Sequence, residues 1–361
     1  VLVGVVGLNI SRGDFYEKEL TFQVSSSYGP GRYDPDYETK GIDYPKAFVP
    51  WTAKRNFEAV LEALRSDQLN VKSLITETVK LGNIESIYSQ MDKSRAIASI
   101  IEYDGEATVK KNIKVNEIRN FNFQTPVIGI IGAGNFTSMT LLPAIRKLNP
   151  QIQSIAGASG IHAKMLARKY QISDCTSDYH DILKNAAITL VLITTRHNLH
   201  ARMVTESLKA GKNVFVEKPL ALNMEELESI VKAYDSADGS ITVGYNRRFS
   251  PHTKAIKEFL KDEDPINIIA TMTAGFIPPD SWVQDPEIGG GRIVGEACHY
   301  LDLMIFLTGS KITSVCLSAL GENPAQNTDN ASILLKFENG SQGTMHYFSN
   351  GARSYSKERI E

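Results

Sequence analysis

Thr125-Pro126-Val127-Ile128-Gly129-Ile130-Ile131-Gly132-Ala133-Gly134-Asn135-Phe136 is the stretch that decides the fold. An apolar run enters a glycine turn and is followed by a helical pattern over residues 138–148. A strand of Ile and Val without polar alternation fits burial on both faces, as in a parallel sheet. Gly132 permits a tight turn, and Gly134 lets the backbone approach a pyrophosphate. The helix start then offers that anion free N–H groups and a partial positive charge. Thr137 stands where such turns place a third glycine, a departure expected to loosen the packing of helix on strand.

Downstream, apolar runs over 154–159, 188–195 and 213–219 alternate with helical stretches. That order predicts an α/β fold, a right-handed, doubly wound parallel sheet of Rossmann type. The helix after the second strand is expected to bury Met165, Leu166 and Tyr170. After Gly244 the pattern changes to long strands over 266–276, 313–320, 331–338 and 341–348. These predict a mainly antiparallel α+β sheet with helices on one face, unfinished where the chain stops. Upstream, residues 1–8 read as a buried strand that begins inside a domain, and 14–24 as a looser strand. A Gly-, Pro- and Tyr-rich loop follows, then a helix capped by Thr52 with Phe57, Val60, Leu61 and Leu64 at helical spacing. Residues 73–76, 84–91 and 96–103 read as strand, helix and strand. The expected division is a partial unit over 1–105, a polar linker over 106–124, a dinucleotide-binding domain over 125–245 and a second domain over 246–361.

Composition narrows the function classes. The 361 residues carry 39 Lys and Arg against 41 Asp and Glu, a formal charge of −2, which gives no basic footprint for nucleic acid. No run approaches the roughly 18 apolar residues of a membrane span. Cys175, Cys298 and Cys316 are too scattered for a disulfide framework or a zinc site, so no metal is expected. That usage fits a reducing compartment, the cytoplasm.

Ligands of open α/β sheets sit at the carboxyl ends of the strands. Gly132, Gly134, Asn135 and Phe136 at the first turn are therefore cofactor candidates, with Thr195, Arg196, His200, Glu217 and Lys218 at the third and fourth strand ends. The second strand ends Ala158-Ser159-Gly160, without the acid that holds a ribose in NAD enzymes. Ser159 tolerates a 2′-phosphate that His162 or Lys164 can meet, a lean from NAD towards NADP; a plain loop with another ribose contact is the competing reading. Lys218, directly before Pro219, can hold an ammonium beside a reacting oxygen, although standing alone it reads better as a surface lysine paired with a nearby acid. Asn246 and Arg247 follow the last strand of the α/β half and are substrate candidates. In the helix after Gly289-Gly290-Gly291, Glu296, His299 and Asp302 lie three apart. A face with Ala297, Cys298, Leu301, Met304 and Ile305 is expected inside. Histidine at 299 has a titration range suited to taking a hydroxyl proton, though a lone histidine is more often a capping or core group.

The segments GIIGAGNF, TTRHNLHA, AGKNVFVEKPLA, GYNRRFSP and GGGRIVGEACHYLDL, in this order, resemble the glucose–fructose oxidoreductase/inositol dehydrogenase/rhizopine catabolism (Gfo/Idh/MocA) family over roughly residues 125–361. The resemblance implies a Rossmann domain joined to an open-sheet domain and hydride transfer to or from sugars, cyclitols or nucleotide sugars. It implies that Lys218 is the lysine of the family's EKP turn and His299 its catalytic histidine, both touching substrate. Many members carry Asp four residues before that histidine. Here the position is Gly295, with Glu296 the nearest acid to stand in. It also implies a homo-oligomer formed through the C-terminal sheet. VLVGVVGLNISR, FYEKEL, YGPGRYDPDYE, WTAKRNF and LNVKSLIT resemble the C-terminal end of a zinc-type, medium-chain alcohol dehydrogenase, so that the chain looks like a segment of a fusion of the two families, of a kind associated with cell-surface polysaccharide synthesis. The leading expectation is thus an NAD(P)-dependent oxidoreductase. A non-catalytic dinucleotide-binding sensor or scaffold is the alternative, motivated by Gly295 and Thr137.

Overall fold

A computed structural model of the chain describes residues 7, 9–22, 28–90, 95–103, 105, 110–117, 121, 122, 124–260, 265–322, 329–352 and 354–361. It divides into two units, Val1–Thr108 and Val109–Glu361.

The first unit contains α1 (Arg12–Tyr16), α2 (Pro35–Glu38), α3 (Ala53–Arg65), β1 (Ile75–Lys80), α4 (Ile84–Gln90) and β2 (Ala98–Glu102). The run over 1–8 lies outside the described residues except for Gly7. Asp14–Tyr16 is helical rather than the start of a strand. Asp34 caps α2 by accepting from the backbone N–H groups of Asp36 and Tyr37. Thr52 does not cap α3: its hydroxyl is buried without a partner. The apolar stripe of α3 is present at the spacing expected, yet Phe57 and Leu61 stay 58% and 64% exposed. β1 and β2 pair in parallel across α4, a small β-α-β unit.

The second unit opens with β3 (Asn112–Lys114), β4 (Val127–Ile131), α5 (Leu142–Arg146), β5 (Gln151–Ala156), α6 (Gly160–Tyr170), β6 (Asp174–Thr176), α7 (His180–Lys184), β7 (Leu190–Ile193), α8 (His200–Lys209), β8 (Asn213–Val216), α9 (Met224–Asp235) and β9 (Ile241–Val243). These strands form one sheet in the order β3-β6-β5-β4-β7-β8-β9, with β4 to β9 parallel. Chain order therefore reverses between β5 and β7, at β4, the switch point where doubly wound sheets hold ligands. β3 comes from the stretch expected to be a linker and pairs antiparallel with β6. Both faces of the sheet are buried. Ile131, Val191, Ile193 and Val216 pack under α8 and α9, while Ile130, Ile155 and Leu192 pack against Leu142, Ala163 and Leu166. Met165 faces solvent instead of the core; the small Ala163 and Ala167 let α6 lie close to the sheet.

The remaining elements are α10 (Pro251–Leu260), β10 (Asn267–Thr273), α11 (Cys298–Thr308), β11 (Ile312–Ala319), β12 (Asn330–Phe337), β13 (Gln342–Phe348) and β14 (Glu358–Ile360). The second sheet runs β11-β12-β13-β10-β14, antiparallel except for the β10–β13 pair. Its inner face, with Ile268, Met272, Ile333, Leu335, Met345 and Tyr347, packs on α11 through Tyr300, Leu303, Met304 and Leu307. Ile305, expected inside, is partly exposed. A π-helical turn over Ile293–Ala297 precedes α11, and the extra residue in such a turn rotates the buried face.

Candidate active site

The glycine turn is fixed by sterics. Gly132 has φ +120°, and a Cβ there would come within 2.6–2.8 Å of Thr194. At Gly134 nothing lies within 4 Å of a Cβ, so that face is open. Gly157, at the end of β5, approaches so closely that a Cβ would stand 2.7 Å from that of Ala133. The open Gly134 face and the close strand ends fit a dinucleotide pyrophosphate. Thr137 does not loosen this turn. It is fully buried, its hydroxyl donates to the Gly132 carbonyl at 2.6 Å, and it lies 2.7 Å from the Thr194 hydroxyl. Asn135 is exposed and Phe136 38% exposed at the mouth; Ser159 and His162 are exposed beyond β5.

After β7, Thr195 donates to the Arg196 carbonyl, and the Arg196 guanidinium lies 5.4 Å from the centre of the Trp282 ring. His200, a cofactor candidate by position, is wholly buried. Its Nδ1 donates to the Pro219 carbonyl at 2.7 Å, and Nε2 lies 3.2 Å from the Thr195 carbonyl. It ties the ends of β7 and β8 together and faces no open space. Burial, opposed by these two carbonyls, holds its imidazole below the ordinary histidine range. His197 meets the segment before α11: Nδ1 donates to the Gly289 carbonyl at 2.8 Å, and the ring stands edge-on to Trp282 at 5.1 Å.

After β8, Glu217 is half-buried against Gly244, and burial raises its carboxyl above the usual range. The Lys218–Pro219 peptide is cis, and Lys218 Nζ donates to the Gly295 carbonyl at 2.8 Å. Lys218 is thus brought to the N-terminal approach of α11, within electrostatic reach of His299 and Glu296. His299 Nδ1 is buried without a hydrogen-bond partner, and its ring lies edge-on to Tyr245 at 6.2 Å. Burial, then Lys218 and Arg247, push the imidazole down to about 4, against the pull of Glu296 and Glu358. His299 is therefore neutral at pH 7.

Glu296 does not partner His299. Its carboxylate accepts from the Tyr347 hydroxyl at 2.5 Å and from Arg292 at 3.3 Å. Burial raises the Glu296 carboxyl, but the Tyr347 hydrogen bond and the Arg292 charge outweigh it and hold the group below its ordinary value. Arg247, a substrate candidate, is already engaged: it makes a two-armed pair with Glu358 and stacks 4.7 Å over Tyr300. Asp302 is likewise taken by Arg248. Asn246 is exposed at the start of the turn after β9. The groups missed in the sequence are His197, Trp282, Tyr347 and Glu358. Only His197 carried a signal, the first histidine of Arg196-His197-Asn198-Leu199-His200.

Residues 127–245 match the oxidoreductase family described as having an NAD-binding Rossmann fold, and residues 264–361 match the Gfo/Idh/MocA C-terminal domain. An uncharacterized oxidoreductase of Bacillus subtilis is 29% identical over 226 residues, 61% of this chain and 66% of that relative. The chain thus spans just under two thirds of that relative. A myo-inositol 2-dehydrogenase of Thermotoga maritima is 24% identical over 60% of this chain and 67% of its own length. Among solved structures, a levoglucosan dehydrogenase in complex with NADH and L-sorbose superposes with TM-score 0.58 at 22% identity, covering 66% of this chain and 70% of that one. A myo-inositol dehydrogenase of Sinorhizobium meliloti, described as putative, does so with TM-score 0.56 at 26% identity, over 65% and 72%. The matches begin at the strand that leads into the glycine turn and run to the last strand. Over residues 127–361 the chain belongs to the Gfo/Idh/MocA oxidoreductase family, and its relatives include a myo-inositol 2-dehydrogenase and a scyllo-inositol 2-dehydrogenase.

Proposed function

We propose that the second unit transfers a hydride between a nicotinamide cofactor and a secondary alcohol or ketone of a sugar, cyclitol or nucleotide sugar. The observation that supports this most is the meeting of Lys218 and a neutral, unpartnered His299 beside the switch point. When bound, the nicotinamide accepts or donates the hydride. The chain's own residues handle the proton. Lys218 holds positive charge, supported by the Gly295 carbonyl, where the substrate oxygen becomes an alkoxide. With Nδ1 buried, Nε2 is the His299 nitrogen left to take or return the hydroxyl proton. The test is turnover of a panel including myo-inositol, levoglucosan and uridine-diphosphate sugars. Lys218→Ala and His299→Ala each lower kcat by about 100-fold or more while NADH binding, read by fluorescence, survives. Unchanged turnover removes the assignment. NADH binding with no turnover across the panel decides for the sensor reading, which the absence of an acid at Gly295 favours.

The finer readings stand on less. Exposed Ser159 and His162, with no acid at the end of β5, support acceptance of NADP, measured by competition between NADPH and NADH. The outer face of the second sheet, where Ile269 and Leu334 are 45% and 53% exposed, supports a homo-oligomer. The first unit is read as the end of a medium-chain dehydrogenase domain, on the sequence resemblance and its β-α-β unit, and the whole as a cytoplasmic protein of surface-polysaccharide synthesis; three unpaired thiols fit that compartment.

A further inference from the structure

Gly295 sits in the π-helical turn before α11, where alanine is the better helix former. The reason for glycine is a close approach. A Cβ at Gly295 would lie 3.0 Å from His197 Cε1 and 3.4 Å from its Nδ1. The same imidazole donates from Nδ1 to the Gly289 carbonyl, whose oxygen would itself lie 3.8 Å from that Cβ, and the neighbouring Asn198 N–H donates to the Ile288 carbonyl at 3.1 Å. Trp282 stands edge-on to the same ring at 5.1 Å. The Gly295 carbonyl accepts from Lys218 Nζ. A continuous chain of contacts thus runs from the glycine run through the His197 ring and the Gly295 backbone to the Lys218 ammonium.

We propose that His197 and Gly295 form a matched pair, in which the His197 ring is the positioning residue for Lys218: it fills the space that a side chain at Gly295 would occupy and fixes the carbonyl that holds the ammonium. This rests on the reading of Lys218 as the group facing the reacting oxygen, and it is tested without turnover. Gly295→Ala lowers the melting temperature in the native background, whereas in the His197→Ala background the same change leaves it unmoved or raises it. Lys218 labelling by trinitrobenzenesulfonate, quantified on peptides by mass spectrometry, becomes several-fold faster in His197→Ala and in Gly295→Ala. It stays at the native rate in His197→Asn, whose side-chain amide can replace the Nδ1 donor. Buried Lys212, bound to the Asn185 and Ile188 carbonyls, is the internal control and keeps its rate throughout. Additive melting shifts, Lys218 labelling unmoved by His197→Ala, or an equal rise at Lys212 each overturn the proposal. If His197→Ala does not fold, Gly295→Ala alone decides, by Lys218 labelling against Lys212. A protein that turns over no alcohol on the panel refutes the proposed function and leaves this pairing to be judged on labelling and melting alone.

Discussion

Thr137 shows how a departure from a motif can be repaired by its own chemistry. A third glycine lets helix and strand approach; threonine at this site uses its hydroxyl to bind the Gly132 carbonyl and reach Thr194. Thr137→Val keeps the volume and removes one of the two hydroxyls that reach the Gly132 carbonyl, Thr194 Oγ1 being the other at 3.1 Å, so it should cost about 1 kcal/mol in urea unfolding. Gly132→Ala is harsher, because the methyl meets Thr194 backbone atoms at 2.8 Å, and it should abolish NADH binding in a fluorescence titration. Thiol chemistry follows burial: the Cys298 thiol is pushed up to about 11 and Cys175 is raised, so iodoacetamide at pH 8 should label exposed Cys316 first by peptide mass spectrometry. The residues that decide site geometry were the least legible. Gly132, Lys218 and His299 sit in local patterns; the contact of His197 with Gly295 joins positions 98 apart and leaves no local trace.

At the scale of elements, strands buried on both faces were readable because an apolar run such as Val127–Ile131 has few alternatives. β3 was not: Asn112-Ile113-Lys114 is an exposed edge strand whose polar composition matches a linker. The phase of α11 was missed for another reason. The π turn over Ile293–Ala297 shifts the face by a residue, so a straight 3.6-residue count puts Ile305 inside. β14 is paired along its backbone with β10, and the Arg247–Glu358 pair adds a side-chain tie to the turn after β9. Both side chains are partly solvated, at 26% and 34%, so the pair is worth less than a buried one. Glu358→Gln should speed amide exchange at residues 358–360 while β12 and β13 keep their protection, as measured by hydrogen exchange.

For the whole molecule, acid sensitivity follows from the two histidines held at about 4. Unfolded histidines take up protons near pH 6.5, and the native protein refuses them until about 4. Stability from this source is full above pH 6.5 and falls as pH drops towards 4. The urea midpoint should decline across that window, and His197→Asn with His299→Asn should flatten the decline. Leu334→Glu places charge on the open face of the second sheet, where sedimentation should report smaller particles if copies associate there.

The antiparallel strand β3 has a practical consequence. It covers β6 through the pairs Asn112–Thr176, Ile113–Cys175 and Lys114–Asp174, with Cys175 only 3% exposed beneath. The family match starts at residue 127, past this strand. A chain begun there would leave the backbone N–H and C=O groups along one side of β6 bare, an adhesive margin of the kind that recruits strands from other molecules. Begun at Lys110, the same domain carries its own guard against aggregation.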